Sequence, residues 1–338
     1  MIYADHNAST PLAAEARAAM LPWLDLPGNA FSAHAVGRRA AVVIEQARAR
    51  VAALVGVAPA QVTFTSGATE ANTTVLSRGR WLVSAVEHPS VGVWGAGALV
   101  VDPWGRVDPG RLPDPTGYDG VAVMLANNET GVIQPLAAVA AWAAAHGLPL
   151  HVDASQGPGR IPVDQIPGDT LTLSAHKLGG PQGVGALVAR RPFEALFRGG
   201  PQERGRRAGT HAVAAIVGFG AAVGAPLIDP WARDRLEAGL VALGGRVAGL
   251  GAPRLPNTSC VGFEGVDAND LVVHLDLAGI CVSAGAACAS GSPEPSPVLR
   301  AMGFPGSAVR FSLGRSTPDA EVDTILAAVA PALRLLRG

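Results

Sequence analysis

Five short apolar runs, at 62–65, 81–86, 121–126, 148–152 and 170–173, each stop at small or polar residues: Ser66, Glu87, Asn127, Asp153 and Ser174. Runs of this length bounded by turn-forming residues read as strands. Between the third and fourth lies an alanine-rich stretch of helical character, 136–146. Strand, helix, strand is a βαβ unit, whose crossover makes the two strands parallel. The chain is therefore held to an α/β fold around a mostly parallel sheet. In open sheets of this kind ligands bind beyond the carboxyl ends of the strands, where these polar residues are delivered.

The run at 170–173 leads into Ser174, Ala175, His176, Lys177 and two glycines. Lys177 is the only lysine of the chain; the other basic side chains, of 26 lysines and arginines in all, are arginine. A sole lysine at the mouth of a strand, flanked by small residues that admit a bulky ring, suits Schiff-base chemistry with a carbonyl cofactor. A solvated amine is the plainer reading of any single lysine, so the other strand ends matter. Residues 62–65 run into Ser66, Gly67, Ala68, Thr69 and Glu70 and then a helical pattern. Backbone N–H groups, the helix dipole and the Ser66 and Thr69 hydroxyls favour a phosphate there, although a plain helix cap looks the same. The stretch lacks the Gly-Lys-Ser/Thr ending of a Walker A loop. Asp153 suits pairing with a protonated pyridine nitrogen as well as capping a turn. His88, Asn128, Gln156 and Ser174 are ambiguous singly and together supply hydrogen bonds at successive strand ends. The glycine and arginine loop at 199–210 reads either as solvated or as a phosphate contact.

At 338 residues the chain suits two domains of unequal size. Helical patterns follow Pro11 and run from Arg39 to Val55, ending at Gly56. Beyond Pro226 the pattern becomes helix, strand (258–263), helix (269–277), strand (280–283), a further strand at 309–313 and a final helix to Leu336. A formal net charge of −1 gives no basic footprint for nucleic acid or a membrane surface. The uncharged run 212–228 is broken by glycines and Pro226 and is shorter than the ~20 residues of a membrane span. With 16% charged and 49% hydrophobic residues, much surface is expected to be buried, part of it in an obligate dimer. The N-terminal residues show neither a basic nor an apolar export region, so the cytoplasm is expected. Three cysteines are too few and too unevenly spaced for a disulfide framework or a zinc site, and no metal is expected. Cys260 and Cys281 fall in strands and read as inert. Cys288 lies within 283–297, a stretch of small residues and prolines with nothing bulky to bury it, so its thiol has the access that reactivity requires.

The ordered motifs YADHNAST, FTSGATEAN, the Glu87-His88 pair, NNETGVIQP, HVDASQGPG, SAHKLGGPQGVGAL, GGPQERGRRAGT, SAGAACASGSPEPSPVLRAMG and VRFSLGR span nearly the whole chain. They resemble the cysteine desulfurases of the NifS/IscS type, pyridoxal-phosphate enzymes of the class V aminotransferase group. The resemblance implies pyridoxal-phosphate fold type I, with a large domain at 14–225 whose mostly parallel mixed sheet is sandwiched by helices. A smaller α+β domain, formed by 1–13 and 226–338, would carry the Cys288 loop. It implies that Lys177 holds the cofactor as a Schiff base, Asp153 its pyridine nitrogen, and Ala68, Thr69, Ser174 and His176 its phosphate. Gln156 and Asn128 would contact the ring oxygen or its surroundings, while His88 would stack on the ring and shuttle a proton near the substrate thiol. Thr210 would reach the phosphate in the neighbouring subunit of a homodimer, and Arg310, with Asn29 nearby, would bind the substrate carboxylate. The implied activity converts L-cysteine to L-alanine, leaves a persulfide on Cys288, and passes the sulfur to an acceptor protein for iron–sulfur or other sulfur-containing products. Selenocysteine lyase, another class V activity and a catalytically silent binding platform stand as alternatives. Ala175 departs from the glycine of many relatives, the region 227–256 is short, and the chain ends at Gly338 without the further segment that housekeeping members use for docking.

Overall fold

The computed structural model describes residues 1–285 and 296–338. A two-residue strand, Ile2–Tyr3 (β1), precedes the helices Ala14–Leu24 (α1) and Ala35–Leu54 (α2). The main sheet then builds from Val62–Thr65 (β2), Ala68–Leu76 (α3), Trp81–Ser84 (β3), Pro89–Gly92 (α4), Gly95–Leu99 (β4) and Gly120–Ala122 (β5). It continues through Leu136–Ala145 (α5), Leu150–Asp153 (β6), Thr170–Ser174 (β7), Gly185–Ala189 (β8) and Val213–Ala222 (α6). The remainder comprises Trp231–Ala242 (α7), Gly245–Val247 (β9), Thr258–Phe263 (β10), Ala268–Leu277 (α8), Ile280–Cys281 (β11), Pro297–Ala301 (α9), Val309–Ser312 (β12) and Asp319–Arg337 (α10).

Among the described residues the main sheet has seven strands in the order β2-β8-β7-β6-β5-β3-β4. The pairs from β7 through β6, β5 and β3 to β4 are parallel. Only β8 runs against the rest, pairing antiparallel with β2 and β7. Every residue of β2, β3, β6, β7 and β8 is buried, as a sheet covered on both faces requires. The protein is thus α/β with a mostly parallel mixed sheet. Strand β5 stops at Ala122 rather than 126, yet Val123 and Leu125 still donate to the carbonyls of His151 and Asp153. The backbone there keeps beside β6 until Ala126 turns to bridge Ile133. Strand β4, GAGAL, has no β-branched residue to announce it; Gly95 is required because a Cβ would stand 2.5 Å from Val83 Cγ2. Helix α2 begins before the expected Arg39 because the His34 side chain caps it, accepting from the Gly37 N–H.

A second sheet has β10 at its centre, antiparallel to β12 and β9, and β1 pairs in parallel with β11. Two main apolar cores result. One gathers residues from Ala16 to Ala222; the other gathers Ala4 with residues between Leu236 and Leu333. We propose that these cores are the two domains expected at 14–225 and at 1–13 with 226–338. Among the described residues no helix is long and apolar enough to cross a membrane.

The loop at 199–210 is exposed along much of its length, as a solvated loop is, yet it is anchored from within at Glu203. Glu203 is 3% exposed; its two oxygens take both terminal nitrogens of Arg48 at 2.7 Å, and it also meets His211 Nε2 and the Phe64 N–H. Glu203 and Arg204 hold positive φ values of 50° and 57°, a conformation that only a strong local anchor maintains. Burial acts to raise the Glu203 carboxyl, but the hydrogen bonds from Arg48 and His211 and the Arg48 charge outweigh it and bring it down to about 2. Glu203→Gln, which strands a buried guanidinium, is expected to destabilise the fold by about 3–5 kcal/mol at pH 7. Because the folded value lies below the ordinary one of 4.5, this contribution is full above pH 4.5 and lost as pH falls through about 2. Urea unfolding midpoints of parent and variant, measured at pH 7 and in acid, should therefore converge only in acid.

Candidate active site

The carboxyl ends of β2, β3, β6 and β7 and the turn after β5 open on one cavity of about 550 Å³. Ser66 to Glu70 come from β2 and the start of α3, Glu87 and His88 from the end of β3, and Asn128 and Glu129 from the turn after β5. Asp153 and Gln156 follow β6, Ser174, His176 and Lys177 follow β7, and Arg310 reaches in from β12. Asn7, Ala8 and Ser9 close the side facing the second core. Ala68, Thr69, His88, Asn128, Asp153, Gln156, Ser174, His176, Lys177 and Arg310 are therefore brought together.

Two candidates stand elsewhere. Asn29 is exposed, its side chain accepting from the Phe31 N–H at 3.0 Å, and Thr210 is exposed at the end of the anchored loop. Their loops touch each other, the Phe31 and His211 rings stacking with centroids 6.1 Å apart. Cys288 lies outside the described residues.

Lys177 Nζ donates to the carbonyls of Asn7 and Ala8 at 2.5 and 2.8 Å. Burial, then the positive charges of Arg310 and Arg160, lower its pKa from 10.5 to about 8, against the opposing pull of Asp153 and Asp5. A half-buried amine of this kind is a usable nucleophile and base near neutral pH. Asp153 accepts from Asn72 Nδ2 at 2.8 Å and from the Ser155 N–H at 2.9 Å, so its carboxylate is held from behind. His176 is kept neutral, at about 4, by burial and by Lys177 and Arg160. Arg310, 1% exposed, gives one terminal nitrogen to Asp5 at 2.6 Å and the other to the Asn128 carbonyl at 3.0 Å.

Glu70 braces the loop at the start of α3, accepting from the Ser66 N–H at 2.7 Å and pairing with Arg207 at 2.9 Å. Burial opposes ionisation of Glu70, yet the Arg207 and Ser66 hydrogen bonds hold its carboxyl below the usual range. Gly185 lets this loop lie against the sheet: a Cβ there would come within 2.8 Å of Gly67 Cα. Ala175, fully buried, has room because a Cβ at Gly180 would stand only 2.9 Å from its own, and Gly180 has none.

Residues absent from the strand-end reasoning also shape the site. Asn7 binds Lys177 and Gln156 through its carbonyl and Asn128 and Thr258 through its amide. Only its place in the YADHNAST motif pointed to it. Arg160, 3% exposed, donates to the Gln156 and His6 carbonyls. Glu87, named only for its place at a strand end, is pushed up to about 8 by burial although Ser84 and the Met124 N–H bind it.

The chain is similar in sequence and in fold to known proteins. The class V aminotransferase family matches residues 2–325. A cysteine desulfurase of Cereibacter sphaeroides is 43% identical, the alignment covering 99% of this chain and 96% of that one. The chain belongs to the cysteine desulfurases of the class V aminotransferase family. A second cysteine desulfurase, from Rhodobacter capsulatus, is 42% identical over 99% of this chain and 97% of its own. Among solved structures, a NifS-like protein superposes with a TM-score of 0.88 at 32% identity, covering 99% of both chains. SspA in complex with cysteine superposes at 0.80 with 28% identity, covering 94% of this chain and all of that one.

In this cysteine desulfurase family member the depressed pKa of Lys177 makes a direct prediction. Trapping of the amine by an aldehyde and borohydride, followed by mass spectrometry at the chain's one lysine, should rise with pH through a midpoint of about 8 and then level off. Arg310→Gln removes a neighbouring positive charge and should move that midpoint upward.

Proposed function

We propose that the protein takes sulfur from L-cysteine, releasing L-alanine, with pyridoxal phosphate as cofactor and Cys288 as the first sulfur acceptor. The observation that carries this reading is the sole lysine, a half-buried amine of depressed pKa, sharing one cavity with Asp153, His88 and Arg310. The residues present fit the cofactor. Lys177 would attach it, Asp153 would face its ring nitrogen, and Ser66 to Thr69 with Ser174 and His176 would hold its phosphate. Three buried oxygens of cavity residues, Ser155 Oγ, Gln156 Oε1 and Glu87 Oε2, have no partner among the described residues, as befits groups that a ligand completes.

When bound, pyridoxal phosphate supplies an electron sink for charge developing at the substrate Cα. The chain supplies the rest. Arg310 orients the substrate carboxylate through its planar fork. Lys177, neutral in good part near pH 8, takes the Cα proton. The Cys288 thiolate attacks the substrate sulfur: the S–S bond forms, the C–S bond breaks, and its electron pair stays with carbon, which is protonated to give alanine. The sulfur remains as a persulfide, to be passed to a protein acceptor or a thiol reductant.

A homodimer completes this proposal. The exposed display of Thr210 and Asn29 on adjoining loops suits delivery of Thr210 to a neighbouring subunit's phosphate. The cytoplasm is the proposed compartment. Purified protein loaded with pyridoxal phosphate and given L-cysteine with dithiothreitol should form alanine and sulfide in equal amounts. Cys288→Ser should keep the cofactor and lose this turnover, while Lys177→Ala should lose roughly 10²–10⁴-fold in rate, the scale of positioned proton transfer. Colour without alanine would overturn the activity and leave only the fold and family.

A further inference from the structure

Two largely buried ion pairs of the protein are made fork to fork. Glu203 takes both terminal nitrogens of Arg48 with its two oxygens, and Glu237 takes both of Arg254 in the same way, every contact at 2.7 Å. Such a pair uses up the guanidinium edge that a second carboxylate would need. The pair at the cavity is made differently. Arg310 meets Asp5 at a single point, Nη2 to Oδ1 at 2.6 Å, while its Nη1 donates to the Asn128 carbonyl at 3.0 Å. Its Nε is buried and has no partner among the described residues, and each terminal nitrogen keeps one N–H outside these bonds. Arg310 lines the cavity, its side chain 1% exposed against 18% for Asp5.

The backbone around Asp5 keeps this half-used fork in place. Asp5 bridges Ser312 at the edge of β12, two residues beyond Arg310. The His6 N–H donates to the Ser312 carbonyl at 3.0 Å and the Ser312 N–H to the Ala4 carbonyl at 2.8 Å, so the carboxylate cannot drift from the arginine. The Asp5 carbonyl accepts from the Ala8 N–H at 3.0 Å and closes a turn over 5–8. On that turn the carbonyls of Asn7 and Ala8 receive Lys177 Nζ. The Asn7 amide donates, at 3.1 Å, to the same Asn128 carbonyl that Arg310 uses. One residue thus holds the guanidinium with its side chain and, with its carbonyl, the turn that receives the lysine. Charge agrees with the geometry, since Arg310 lowers and Asp5 raises the pKa of Lys177.

We infer that Asp5 is the positioning residue of a carboxylate subsite: it holds Arg310 by one terminal nitrogen, leaves the remaining N–H groups for the carboxylate of the substrate, and keeps that subsite at a set distance from Lys177. Without Asp5 the arginine side chain gains rotamer freedom that a ligand must then remove. A neutral acceptor of the same shape still holds the nitrogen; a longer carboxylate pushes the guanidinium out of place. The inference rests on the substrate role proposed for Arg310.

The test uses the full-length, cofactor-loaded protein and two thiol probes that lack an amine, 3-mercaptopropionate and its methyl ester, with binding read by calorimetry. The parent should prefer the acid. Asp5→Ala and Asp5→Glu should each weaken acid binding about tenfold and leave the ester within about twofold, whereas Asp5→Asn should hold the acid within about threefold of the parent. Melting temperature and cofactor absorbance identify the folded variants, and Asp5→Glu carries the test should Asp5→Ala not fold. On an Arg310→Gln background Asp5→Ala should change nothing further, because it acts through that side chain. With L-cysteine the Asp5→Ala loss should fall on KM and leave kcat within about twofold. Unchanged acid binding in the folded Asp5→Ala or Asp5→Glu protein, or an Asp5→Ala effect that persists in full on Arg310→Gln, would overturn the inference. An Arg310→Gln protein that still separates acid from ester removes the role proposed for Arg310 and this inference with it; a preference lost there but intact in the Asp5 variants sinks this inference alone.

Discussion

Asn7 is the residue on which the two cores and the site between them depend. Its N–H donates to Ser312 on β12, its side chain bonds Thr258, Asn257 and the Asn128 carbonyl, and its own carbonyl receives Lys177 and Gln156. One buried residue thus joins the small sheet, the turn after β5 and the lysine loop. Every polar group it offers is used, which is the condition under which a buried polar residue specifies an arrangement rather than weakening it. The segment on either side behaves alike: Tyr3 is in register with β11, Asp5 bridges Ser312, and Thr10 binds the His176 carbonyl. The N-terminal strap therefore sets the distance between Arg310, on one core, and Lys177, on the other.

That distance matters because the site is governed by a small excess of buried positive charge. Arg160 is fully enclosed, with carbonyl partners and no ion pair among the described residues, and its pKa falls to about 9. Its field and that of Arg310 act on Lys177 in the direction that releases a proton. Asp5 and Asp153 oppose this without cancelling it. A lysine meant to react as a free amine needs this imbalance; a structural lysine would be paired with a carboxylate. The carbonyls of Asn7 and Ala8 fix where the amine points and leave its charge state to the arginines.

The main sheet was legible in the sequence because its strands are apolar on both faces and end abruptly in polar or small residues. The same abrupt endings delivered most of the site, since parallel strands place their carboxyl ends on one edge. Strand β4 was not legible: its glycines reflect close approach to neighbouring side chains, and no strand-forming residue offsets them. Asn72 was illegible for another reason. An asparagine inside a helix looks like a solvated residue, and only the tertiary packing of α3 against β6 turns it inward toward Asp153 and His151. Asn7 and Arg160 belong to segments without periodicity, so their partners were defined only by the fold. Asn29 was placed near the substrate through resemblance, whereas in the single chain its side chain caps its own turn.

The anchored loop at 199–210 shows how a surface feature can be set by the interior. Arginine and glycine enrichment made the loop look solvated or phosphate-binding, yet Glu203 turns inward, binds Arg48 with both oxygens and accepts His211. That pairing fixes the backbone on both sides of Thr210, and His211 in turn stacks on Phe31. The cost of burying Glu203 and Arg48 is therefore offset twice, once by their mutual hydrogen bonds and once by ordering two exposed loops. A site residue displayed away from its own cavity needs such ordering, because a floating threonine would spend most of its binding energy on being immobilised.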